Sequence, residues 1–90
     1  MSEHTIQRLA VLEVMADGRY RTLFELDAEL RKRGYLYLTT SISARLRQLR
    51  NAQFGGWTVE ARLRSGRTWE YALRPPRPAK QAELFQEARA

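Results

Sequence analysis

Residues 39–74 read TTSISARLRQLRNAQFGGWTVEARLRSGRTWEYALR, and within them the spacing of apolar side chains changes from that of a helix to that of a strand. In the first half Ile42, Leu46 and Leu49 fall on one narrow helical stripe, behind three candidate N-cap residues, Thr39, Thr40 and Ser41. A helix is expected from there to about Asn51. Its opposite face carries Thr40, Ala44, Arg47, Gln48 and Asn51, with Ser43 and Arg50 on one flank and Arg45 on the other. From Trp57 the period becomes two. Trp57, Val59, Ala61 and Leu63 alternate with polar residues, and so do Trp69, Tyr71 and Leu73. A hairpin around Ser65-Gly66 joins the runs. A strict two-residue turn would put the two apolar sets on opposite faces, whereas the odd loop Ser65-Gly66-Arg67 aligns Leu63 with Trp69, Ala61 with Tyr71 and Val59 with Leu73. That register also sets Arg62 across from Glu70. Trp57, Trp69 and Tyr71 then share the face that covers the helices and read as core, a base-stacking platform being the other use of such a set.

Upstream, a first helix is expected over residues 5–16, with Ile6, Leu9, Ala10, Leu12 and Met15 as its apolar stripe and Asp17-Gly18 as its stop. Val11 and Val14 lie off that stripe, so the helix is apolar around much of its circumference and suits a wedged position. Thr22-Leu23-Phe24-Glu25 matches a capping box, which starts a second helix at Thr22. Leu23, Leu26 and Leu30 line its inner side, Glu25, Glu29 and Lys32 its outer side, and Gly34 ends it. Downstream, Pro75-Pro76-Arg77-Pro78 cannot continue a paired strand, because proline lacks the amide donor. Residues 1–74 are therefore expected to form one domain and residues 75–90 a proline-rich linker with a short tail. The fold class expected is α+β, three helices followed by a two-stranded β-hairpin.

Ninety residues suffice for one modest core and not for a deep catalytic cleft. Cysteine is absent, which removes disulfides and thiolate chemistry, and charges interrupt every apolar run well short of a membrane span. With no signal-like run after the polar opening, the expected location is the cytoplasm, on the nucleoid. His4 is the only histidine, and no carboxylates are spaced to converge from one element. No catalytic residue, metal ligand or cofactor motif is expected. The net charge of +6 is unevenly spread: residues 1–40 are neutral, residues 41–80 carry nine basic side chains against Glu60 and Glu70, and the last ten residues are slightly acidic. The excess therefore belongs to the third helix and the hairpin, which suits a polyanion.

This order of elements, with a polar and basic third helix, resembles the winged helix-turn-helix family of DNA-binding domains over residues 5–74. The stretch between Gly34 and Ile42 is longer than the tight turn of simple phage-repressor units, which favours the winged variant. The resemblance implies binding of double-stranded DNA, with the third helix in the major groove and the hairpin as a wing. Arg47, Gln48 and Asn51 have the forked geometry that reads guanine or adenine. Thr40 and Ser41 at the helix start suit phosphate, with Ser43, Ala44 and Arg50 beside them. Arg62, Arg64 and Arg67 are the expected wing contacts. A transcriptional regulator, as a monomer or homodimer, is the expected function.

Gln81-Ala82-Glu83-Leu84-Phe85 resembles the short peptide by which bacterial replication and repair proteins bind the sliding clamp. In such peptides the glutamine amide caps one subsite while the Leu-Phe pair fills an apolar pocket, so Gln81, Leu84 and Phe85 are the expected protein-binding residues. The alternative function is then that of a phage, plasmid or bacterial replication or repair accessory. A terminal helix that packs Leu84 and Phe85 on the domain or on a second subunit is the other use of this tail.

Overall fold

The structure, a computed structural model, describes residues 2–76. The chain forms α1 (Glu3–Met15), β1 (Arg21–Thr22), α2 (Leu23–Lys32), α3 (Thr39–Gln48), a 3₁₀ turn (Ala52–Phe54), β2 (Thr58–Ser65) and β3 (Thr68–Arg74). This is an α+β fold of three helices followed by a small antiparallel sheet, in a winged-helix-like arrangement. The sheet order is β1-β3-β2, so the hairpin has a third strand on its β3 edge, Arg21 opposite Tyr71 and Thr22 opposite Glu70. Two residues leave no periodic trace, and β1 was not foreseen.

The ends of α2 follow from its sequence. Thr22 Oγ1 accepts the Glu25 amide at 3.0 Å and Glu25 Oε1 accepts the Thr22 amide at 2.9 Å, closing the capping box. Such a cap is worth about 1 kcal/mol. At the other end the Gly34 amide donates to Arg31 O and the Tyr35 amide to Leu30 O. This pairing needs a left-handed residue, and Gly34 supplies it at φ +88°. α3 differs from expectation: Leu38 takes the N-cap position without a side-chain cap, and the hydroxyls of Thr39, Thr40 and Ser41 lie inside the first turn. The helix ends at Gln48, and Asn51 instead caps the 3₁₀ turn, its carbonyl accepting the Phe54 and Gly56 amides.

The core is made by Ala10, Val11, Val14 and Met15 of α1, Leu26 and Leu30 of α2, Ile42, Leu46 and Leu49 from α3 and its cap, and Leu73 of β3. On α1 the buried face is therefore the one through Gln7, Ala10, Val11 and Val14, while Ile6 and Leu9 are 43% and 49% exposed. This corrects the expected stripe in part: Ala10 and Met15 are buried as expected, whereas Val11 and Val14 take the places expected of Ile6 and Leu9. Both stripes have helical spacing, and the small or β-branched set fits the narrow space where α2 and α3 converge on α1.

The β2–β3 register is the expected one, Leu63 opposite Trp69, Ala61 opposite Tyr71 and Val59 opposite Leu73. It is achieved differently. Ser65 pairs with Thr68 across the two-residue turn Gly66-Arg67, and the odd residue is a bulge at Arg64. Gly18, at φ +77°, closes the α1–β1 turn where a Cβ would come within 2.9 Å of Arg74 Nη1, which donates to the Gly18 carbonyl. That contact brings the end of β3 beside the end of α1. Among the described residues no helix is long and apolar enough to cross a membrane.

Candidate nucleic-acid interface

α3 presents three distinct sides. Ile42, Leu46 and Leu49 face the core, while Thr39, Thr40, Arg47 and Arg50 are exposed with half-buried Ser43 among them. The third side turns toward α1. There Arg8 Nη1 donates to Gln48 Oε1 at 3.2 Å, and the Arg8 guanidinium lies 3.6 Å from the centre of the Phe54 ring. Gln48 is thus half-buried in a bracket that fastens the end of α3 and the 3₁₀ turn to α1. Ser41 and Ala44 are half-buried, and exposed Asn51 stands just past the helix. The structure therefore gathers Thr40, Ser43, Arg47 and Arg50 on one outward surface, and it separates Gln48 from them.

Arg45 was expected on the flank of the polar face and is instead only 8% exposed. Its Nε and Nη1 are buried without a hydrogen-bond partner, as is Oε1 of Gln7 on the inward side of α1. A charged group in such a place is a cost to folding. Its helical angle, between Ile42 and Ser41, was the available signal.

Two of the three wing arginines are bound within the molecule. Arg62 Nε and Arg64 Nε donate to the two carboxylate oxygens of Glu70, and Arg64 Nη2 reaches Glu25 Oε1 at 2.7 Å. Glu70 is 4% exposed, and the Arg62 hydrogen bond, followed by that of Arg64, holds its carboxyl below the ordinary carboxylate range. Glu25 is lowered too, first by Arg64 and then by the Thr22 amide. The same carboxylate thus caps α2 and anchors the wing. Arg62 also lies 3.6 Å from the centre of the Tyr20 ring, whose hydroxyl donates to Glu60 Oε2 at 2.7 Å and is raised by that bond. Arg74 completes the cluster, 3.5 Å from Glu60 Oε1. Of these partners only the Arg62–Glu70 pair was legible beforehand, from strand register; Tyr20 and Glu25 arrive from other elements.

The result is a redistribution of effective charge. Among the described residues, Arg47, Arg50 and Arg67 are the exposed arginines with no carboxylate within 4.0 Å. Arg47 is on the outward surface of α3, Arg50 stands just past its end, and Arg67 is in the wing turn. Gln81, Leu84 and Phe85 lie outside the described residues. Comparison of the chain with protein-family models, with curated proteins and with solved structures found no match.

Proposed function

We propose that this chain binds double-stranded DNA, with α3 entering the major groove and the wing turn meeting the phosphate backbone, in the manner of a transcriptional regulator. One observation carries the reading: among the described residues, the exposed arginines without an acidic partner are Arg47 on α3, Arg50 just past its end and Arg67 in the wing turn, whereas the other exposed arginines are paired with carboxylates. Unpaired arginines on a helix narrow enough for the groove can read base edges and phosphates. Arg47, with Thr40, Ser43 and Arg50 around it, is the assigned reader. Arg67 is the wing's contribution, since Arg62 and Arg64 are already held. The test is selection from a random duplex pool. Arg47→Ala should cost about 1–3 kcal/mol of specific binding and relax preference at one base position. An unchanged selected sequence would reject α3 as the reader.

The second reading, a replication or repair accessory, rests on Gln81-Ala82-Glu83-Leu84-Phe85 and on its place beyond the basic domain. A peptide spanning residues 79–90 should bind a bacterial sliding clamp with micromolar affinity, on the order of −8 kcal/mol, and lose that binding when Leu84 and Phe85 become alanine. If the peptide does not bind and deletion of the segment turns a dimer into a monomer, the tail is a clasp between subunits.

A further inference from the structure

The apolar face of the hairpin is longer than the core it covers. Val59, Tyr71 and Leu73 pack on the helices, but toward the turn Trp69 and Leu63, paired across the strands, are 50% and 51% exposed. Beside them Phe24, in the first turn of α2, is 82% exposed. Leu23, Phe24, Arg67, Trp69 and Tyr71 line one open cleft of about 310 Å³. Its walls contain no carboxylate, and Arg67, which has no acidic partner among the described residues, stands at its edge. Nothing in the packing of the domain calls for an exposed tryptophan and phenylalanine here.

The composition of the cleft selects its occupant. Aromatic faces beside an unneutralised arginine, with no carboxylate in the lining and the neighbouring Glu25 and Glu70 already bound by Arg62 and Arg64, match a ligand that is at once flat, aromatic and anionic, which is a nucleotide. A purely apolar surface would use the rings and leave Arg67 idle. Bases inside a duplex have their faces covered by their neighbours, so away from a terminal pair the ring surface is available only where a base is unpaired. We propose that the Phe24–Trp69 cleft takes an unpaired base from single-stranded DNA adjoining a duplex, Trp69 stacking on the base and Arg67 meeting its phosphate. This rests on the reading of the chain as a DNA-binding protein and extends it from plain duplex to the junction of duplex with single strand.

The experiment compares a blunt duplex with the same duplex bearing an oligothymidine overhang. The full chain with Trp57→Phe leaves Trp69 as the only tryptophan, and its emission should be quenched by the overhang duplex and not by the blunt one. In the otherwise native chain the overhang should raise affinity about five- to hundredfold, the range of one stacked base. Trp69→Ala should abolish that gain while leaving blunt-duplex affinity unchanged at a temperature where the variant is folded, and Trp69→Phe should keep most of it. Equal affinity for the two DNAs, or unquenched Trp69 emission in the bound state, overturns the inference. So does a Trp69→Ala variant that weakens both DNAs alike, or one that turns a dimer into a monomer. Failure of the blunt duplex to bind while the overhang still quenches Trp69 would count against α3 as reader and leave the cleft standing.

Discussion

At the scale of single residues, Arg45 and Arg47 illustrate how two positions on one helix part company. Arg47 is exposed, with no carboxylate within 4.0 Å among the described residues, and water solvates its charge. Arg45 is buried, with Nε and Nη1 unpartnered and little solvent left to offset its charge. Replacing a buried charge by an apolar side chain of similar reach is commonly neutral or stabilising by about 1–4 kcal/mol. Arg45→Met should therefore raise the midpoint of urea denaturation without changing the slope, and leave DNA affinity intact. A lowered midpoint would mean that the guanidinium has a stabilising partner. The pair also marks a limit of sequence reading. A helical wheel gives an angle, but whether a residue at the edge of the apolar stripe is covered depends on how closely the neighbouring helix approaches.

The elements divide in the same way between what period reveals and what packing decides. The hairpin register was legible, because a one-residue slip would turn every apolar side chain to the wrong face. The bulge at Arg64 was not, since a three-residue loop and a bulge beside a two-residue turn give the same parity. On α1 apolar residues occupy much of the circumference, and packing buried Val11 and Val14 with Ala10 and Met15 while leaving Ile6 and Leu9 exposed. Val14→Ala should destabilise by about 1.5–3 kcal/mol, the loss of buried methyl groups plus a cavity, whereas Leu9→Ala should stay within about 0.5 kcal/mol. Equal effects in chemical denaturation would contradict the assigned face. The wing network has a pH signature of its own. Glu25 and Glu70 both titrate below their ordinary value of 4.5, so their contribution is complete above that pH and is lost as pH falls through the lowered values. Melting temperature should hold from pH 7 to about 5 and then decline. Glu70→Gln should lower it at neutral pH and flatten the acid decline, and an unaltered profile would show that Glu70 does not carry this dependence.

For the whole molecule, sequence alone gives a basic half, but net charge cannot say which cations remain available once the chain has folded. Glu70, Glu25 and Glu60 come from β3, α2 and β2, and together they occupy Arg62, Arg64 and Arg74. What remains among the described residues is a smaller field, Arg47 on α3, Arg50 just past its end and Arg67 in the wing turn. Each phosphate contact releases counterions, so the slope of log K against log salt falls by about 0.9 for each contact removed. Arg67→Ala should reduce the steepness by about that amount while melting as the native protein does. Arg62→Ala should do the reverse, keeping the slope but lowering the melting temperature, because it breaks a pair with a buried carboxylate and removes the cation from the Tyr20 ring. The two variants remove the same charge from the same hairpin. If they change the salt slope equally, the ion pairs of the wing open on binding, and the charge that meets DNA is that of the sequence rather than that of the fold.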